Sequence, residues 1–189
     1  MLLLVVGAKG GLGATTLARL LCRQAEVVPL DAADGRLVVD LSVPGASVLD
    51  LADTPQWTVA RRSQMADQVA RTRQPLLWSR ACAVWPEPVA AFVADVAALT
   101  TVVADGGIAP PADLLKLASL VLIVSSDDPV ARWHEQRLKA QWPTALAVVG
   151  DLKAAAQAIA AQTLGIPARR GLLERAQSTL RRTGVGGQQ

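Results

Sequence analysis

The sequence predicts an α/β domain in which a doubly wound, mainly parallel sheet carries helices on both faces. Three observations lead there: short apolar runs alternate with segments of helical period, several of these runs are apolar at every position, and the first passes through a glycine-rich turn into a helix. A strand that is apolar throughout must hide both faces, which needs helices above and below it. Alternation of that kind gives parallel pairing through crossover connections.

Strands are expected at residues 2–6, 27–30, 76–78, 100–104, 120–124 and 146–149, most of them bounded by Gly, Pro or Asp. Helical periodicity falls between them at roughly 14–25, 58–72, 87–98, 111–118, 129–140, 153–163 and 171–182. The stretch 34–57, with Pro44, Gly45 and Pro55, reads as loop with short helical turns. Residues 1–183 are expected to form one domain, and the glycine-rich 184–189 a frayed tail. Sheets of this class bind ligands beyond the carboxyl ends of their strands, near the point where the winding reverses. Gly7, Asp31, Asp105, Ser125 and Gly150 end the strands and so come under scrutiny.

At 51% hydrophobic and 19% charged, the 189-residue chain is too apolar for disorder. Its longest apolar stretches, 96–104 and 117–126, fall well short of the roughly 20 residues that cross a bilayer, so no transmembrane span is predicted. The opening run has no basic residues ahead of it and leads into a glycine loop instead of a cleavage site; a cytoplasmic location is expected. Cys22 and Cys82 lie in apolar contexts and read as buried free thiols. Net charge is only +3, but Arg169, Arg170, Arg175, Arg181 and Arg182 gather near the C-terminus, where any electrostatic docking surface is expected.

The informative feature is the run Gly7-Ala8-Lys9-Gly10-Gly11-Leu12-Gly13-Ala14-Thr15-Thr16, between an apolar strand and the helix beginning near Leu17. Glycines let backbone N–H groups converge on a phosphate, and the helix N-terminus adds unpaired donors and the positive end of its dipole. Residues 9–16 resemble the deviant Walker A motif of MinD/ParA ATPases, Lys-Gly-Gly-x-Gly-Lys-Ser/Thr-Thr, with Ala14 as the one mismatch. The resemblance implies a P-loop NTPase fold that binds ATP and Mg²⁺ through Gly10, Gly11, Leu12, Gly13, Ala14, Thr15 and Thr16. In it Lys9 reaches a partner's phosphates across a nucleotide-sandwiched homodimer, Thr15 binds the metal and Thr16 holds the α-phosphate.

Residues 100–107 resemble that family's Walker B strand, which makes Asp105 a metal residue acting through water. Asp31 matches the first aspartate of its Asp-x-Asp motif and is expected to be catalytic. Ala33 stands where the second should be, with Asp34 one residue late. Gly150 and Asp151 replace the asparagine that usually sits beside adenine.

Ala14 removes the lysine that neutralises the β- and γ-phosphates. A charge-assisted hydrogen bond of that kind is worth about 1.5–3 kcal/mol, so affinity should fall roughly ten- to a hundredfold, and hydrolysis is expected to be slow or absent. The wording Gly10-Gly11-Leu12-Gly13-Ala14-Thr15-Thr16-Leu17-Ala18 is similar to the TadZ/CpaE-like proteins of pilus assembly and to septum-site-determining proteins. That branch implies a localisation factor with protein partners in a pilus, secretion or division assembly. Three rival readings stand beside it: a nucleotide-free scaffold, a DNA-partition ATPase, and a short-chain dehydrogenase. The last rests on Gly7, Gly11 and Gly13 as a dinucleotide loop with Asp31 on a ribose, and it conflicts with the absence of any tyrosine.

His134 has no second histidine or cysteine near it in sequence and reads as structural. The five tryptophans are scattered and read as packing residues. The helix expected over 171–182 reads as packed on the sheet with solvated arginines, in preference to a membrane or DNA contact.

Overall fold

β1 (Leu2–Gly7) is buried at all six positions, and its side chains divide between two separate cores. In the computed structural model, which describes residues 1–42, 47–53, 57–79, 84–165 and 180–181, the chain continues through α1 (Ala14–Cys22), β2 (Val28–Asp31), α2 (Arg36–Leu41) and β3 (Leu49–Asp50). A short 3₁₀ turn (Leu51–Asp53) leads to α3 (Val59–Thr72), β4 (Leu76–Leu77), α4 (Glu87–Leu99), β5 (Val102–Asp105) and α5 (Ala112–Leu117). β6 (Leu120–Ser125), α6 (Pro129–Gln141), β7 (Leu146–Val149), α7 (Leu152–Thr163) and β8 (Leu180–Arg181) complete it.

The strands form one sheet in the order β3-β4-β2-β5-β1-β6-β7-β8. Every pairing is parallel except β7 with β8. Strands β2 to β5 lie on one side of β1 and β6 to β8 on the other, so the winding reverses at β1. The period-2 alternation of strand side chains sends Leu2, Leu4 and Val6 to one face, against Val69 of α3, Phe92 and Val96 of α4 and Leu114 of α5. Leu3 and Val5 go to the other face, against Leu17 and Leu21 of α1, Leu37 of α2 and Ile159 of α7. Two-sided cover is why these strands read as continuous apolar runs.

All six expected strands are present, with ends moved by a residue or two. β5 starts late because the Thr100 N–H is spent on the Val96 carbonyl at the end of α4. β2 and β6 run one residue further, to Asp31 and Ser125. The loop-like stretch also holds α2 and the two-residue β3, which pairs with β4 at the sheet edge. One expectation is corrected: at the end of the proposed 171–182 helix, Leu180 and Arg181 form β8, antiparallel to β7. The edge of β7 leaves backbone donors and acceptors open, and pairing there satisfies them. The rest of that proposed helix, like Cys82 and the tail 184–189, lies outside the described residues.

Trp78 and Trp85 are buried with ring centroids 5.8 Å apart, and Trp57 meets Phe92 edge-on at 4.9 Å. Trp133 is instead exposed, with the Arg137 guanidinium over its ring. His134 is half-buried on α6 beside Trp133. Cys22 is a free thiol that burial, helped by the charge of Asp105, pushes up to about 12, so it is inert at neutral pH. Among the described residues no helix is long and apolar enough to cross a membrane.

Phe92, on α4, is 1% exposed and packs edge-on against Trp57. Phe92→Ala is expected to cost roughly 3–5 kcal/mol, seen as a lower urea midpoint at unchanged slope.

Candidate functional site

Where β1 ends, its two neighbours fix the direction of the chain. The Gly7 N–H donates to the Gly107 carbonyl at 2.7 Å and the Ala8 N–H to that of Val124 at 2.9 Å, pinning the start of the loop between the ends of β5 and β6. Beyond Ala8 the backbone turns through left-handed conformations at Gly11 (φ 80°) and Gly13 (φ 95°) and enters α1 at Ala14. Gly13 is favoured by that left-handed φ; a Cβ there would in addition press on the tip of the Leu152 side chain at 2.7 Å. At Gly10 and Gly11 a Cβ would meet nothing within 4 Å, so that side of the loop is bare.

Among the described residues, no backbone N–H from Lys9 to Thr16 makes a well-aligned hydrogen bond to a protein acceptor. No side chain caps α1, and its first intrahelical bond runs from the Leu17 N–H to the Gly13 carbonyl at 2.8 Å. Bare donors at the positive end of a helix dipole make an anion cradle.

The cradle forms one wall of a cavity of about 790 Å³. Gly7 and every residue from Lys9 to Thr16 line it, so the whole proposed nucleotide loop faces one space. The other walls are Ala32, Ala33 and Asp34 after β2, Arg36 and Asp40 on α2, Trp78 after β4, and Gly106 to Ala109 with Pro111 after β5. Gly150 and Asp151 do not line it; the Asp151 carboxylate caps α7 by accepting from the Lys153 and Ala154 N–H groups.

Two buried aspartates stand in register beneath this cavity, Asp31 ending β2 and Asp105 ending β5, and their environments differ. Asp31 accepts from the N–H groups of Ala33 and Gly35 at 3.1 Å and of Val38 at 3.2 Å. With both oxygens occupied by backbone, it is a clamp that shapes the following loop and the start of α2. The sequence assigned it catalysis; the acid on this segment that lines the cavity is Asp34, ion-paired with Arg36 at 3.1 Å.

Asp105 keeps one oxygen in reserve. Its Oδ1 accepts from the Gly107 N–H at 3.0 Å, whereas its buried Oδ2 has no hydrogen-bond partner among the described residues. Burial pushes this carboxyl above the ordinary range, against the opposing pull of the Thr15 hydroxyl and the Gly107 N–H. The Thr15 hydroxyl is thus near enough to act on the carboxylate without satisfying its free oxygen. A buried, orphaned carboxylate oxygen beside a hydroxyl fits a water-coordinated divalent cation, which needs only one or two protein ligands when phosphates supply the rest. The Ser125 hydroxyl, buried at the end of β6, is likewise unpartnered among the described residues.

Lys9, half-exposed, points to Asp128 at 3.5 Å. Asp128 caps α6, and its carboxyl is held below the usual range first by the Ala131 N–H and then by Lys9. Ala14 faces the cavity without a charge. Arg36 and Trp78, which also face it, were missed in the sequence. One stands in the stretch that read as loop and the other after a strand of two residues, so neither had a motif to flag it.

No protein-family model matches the chain, and no curated protein matches it. Among solved structures, the fold is similar to that of a ParA family ATPase from Chlorobium tepidum TLS, with a TM-score of 0.50 and 18% sequence identity over 79% of this chain and 73% of that one. That likeness is one of fold: a mainly parallel α/β sheet with helices on both faces.

The folded protein resists ionising Asp105 more than the unfolded chain does. The stability linked to this group is therefore full below the unfolded value of 3.8 and is lost as pH rises through the raised folded value. Asp105→Asn is expected to raise the thermal midpoint of the ligand-free protein at pH 7, with the gain shrinking as pH falls toward 3.8. Calorimetric scans across that range check it.

Proposed function

We propose that the chain binds a nucleoside triphosphate, ATP with Mg²⁺, in the cavity over the β1–α1 loop, and turns it over slowly or not at all. The observation that carries this reading is the row of unpartnered amides from Lys9 to Thr16 lying across a common cavity from the ends of β2 and β5. Thr15 and Asp105 would hold the metal ion, Thr16 the α-phosphate, and the bare side of Gly10 and Gly11 lets phosphate oxygens approach the backbone. The metal neutralises phosphate charge when bound. Ala14 leaves the loop without its own cation, and Asp31 is committed to backbone, which together support weak hydrolysis.

The dehydrogenase reading loses its support. β5 lies between β1 and β2, whereas the dinucleotide fold places those two strands side by side, and Asp31 is fully buried, does not line the cavity and already accepts from three backbone N–H groups. On the broader role, the reading is a nucleotide-dependent homodimer that positions a larger assembly, of the pilus, secretion or septum kind that its Gly-Ala-Thr-Thr wording resembles. In that dimer Lys9 would leave Asp128, an exposed and therefore weak partner, for the second subunit. DNA partition and a nucleotide-free scaffold are the alternatives.

A thermal-shift series with ATP-Mg²⁺, ADP-Mg²⁺ and each component alone separates these readings. ATP-Mg²⁺ at a hundred times its dissociation constant should stabilise the protein by about 2.7 kcal/mol. Thr15→Ala should abolish the contribution of Mg²⁺ while sparing the fold. A scaffold would show no shift with any nucleotide, and that result would end the nucleotide reading.

A further inference from the structure

A triphosphate in the cavity would carry several negative charges past residue 14, where the loop presents only a methyl group. The charged residues lining the cavity are Lys9, Asp34, Arg36 and Asp40 among the described ones. Two of them are engaged with groups elsewhere. Lys9, paired with Asp128 at 3.5 Å, is the residue the dimer reading sends to the second subunit, and Asp40 accepts from Arg19 at 2.9 Å.

Arg36 is placed differently. It is the first residue of α2, and its backbone is fixed from both sides: Gly35 before it takes a left-handed φ of 85°, and the Asp31 carboxylate accepts from the N–H groups of Gly35 and Val38. Leu37 and Val38 are buried, anchoring that first turn to the sheet. The side chain is by contrast 79% exposed, and its pairing with Asp34 at 3.1 Å is open to water on both sides. A pair of that kind contributes little and is given up readily for a partner of higher charge. A guanidinium also matches phosphate oxygens in a bidentate fork.

We propose that Arg36 replaces the absent loop lysine: on nucleotide binding it leaves Asp34 and donates to the terminal phosphate oxygens from the start of α2, which lines the same cavity as the glycine loop. The proposal rests on the triphosphate reading above and adds the residue that discriminates a triphosphate from shorter chains. A cation delivered from α2 meets the outer phosphates without occupying the loop's amides. Asp34, released from the guanidinium, keeps the backbone N–H of Arg36 as a partner and faces the cavity.

The test is a titration with fluorescently labelled ATP, competed by unlabelled ATP, ADP and AMP in the presence of Mg²⁺. Arg36→Ala should weaken ATP about tenfold or more and leave AMP nearly unchanged. Arg36→Gln, which keeps hydrogen bonding without charge, should fall with it, and Arg36→Lys should recover part of the loss. Ala14→Lys should tighten ATP in the native background and rescue Arg36→Ala, since either cation meets the same oxygens. Thermal midpoints of the ligand-free variants should match the native chain, because the side chain is exposed. If the native chain binds ATP and Arg36→Ala binds it within twofold, the proposal falls while the nucleotide reading stands. If the native chain binds no nucleotide, both fall together.

Discussion

β1 is paired along both edges, to β5 and β6, and covered on both faces, so the chain can leave the sheet only through the carboxyl end of that strand. At that exit the Gly7 and Ala8 amides are used by the neighbouring strands, and the next five residues must turn back to begin a helix over the sheet. The turn is made with glycines in left-handed conformations, and its cost is a row of donors without protein acceptors. The site is therefore a consequence of how the central strand is buried. A ligand rich in acceptors would complete what the fold leaves open.

The two aspartates at the next strand ends show how one topology prepares different chemistry from the same residue type. Asp31 and Asp105 are in-register neighbours and equally buried, yet only Asp31 is followed by a loop that curls back to donate three N–H groups. Asp105 receives one N–H, and burial holds its carboxyl above the ordinary range. A buried carboxylate with unfilled capacity is unfavourable in isolation, and strain of that kind persists where a bound group relieves it. The first aspartate is spent on architecture; the second keeps one oxygen without a hydrogen-bond partner among the described residues.

Cover on both faces also explains where the charged residues ended up. With the faces of the inner strands given to leucine, valine and alanine, polar groups collect at the carboxyl rim, at helix N-caps and on outer helix surfaces. Asp128 and Asp151 cap α6 and α7, which follow β6 and β7 at the same end of the sheet as the glycine loop. Lys9 finds its partner among these caps. The rim is thus a set of exposed charges whose pairings are weak enough to exchange.

The fold was legible in the sequence because its signals are local. Runs such as Leu2 to Val6 and Leu120 to Val124 declare two-sided burial without reference to the rest of the chain. Glycines 10, 11 and 13 before two threonines announce a phosphate loop from neighbouring residues alone. Asp105 could be singled out for the same reason, as the polar residue ending such a run. The sequence could not decide what long-range pairing decides. β3 and β8 are two residues each and exist only because an open strand edge lies beside them. The fate of the Asp31 oxygens depends on how the next seven residues curl, and Arg36 reaches the cavity because that curl anchors α2 there. Periodicity and motif spacing are written in adjacent residues; which side chains share a cavity is fixed only when distant segments pack.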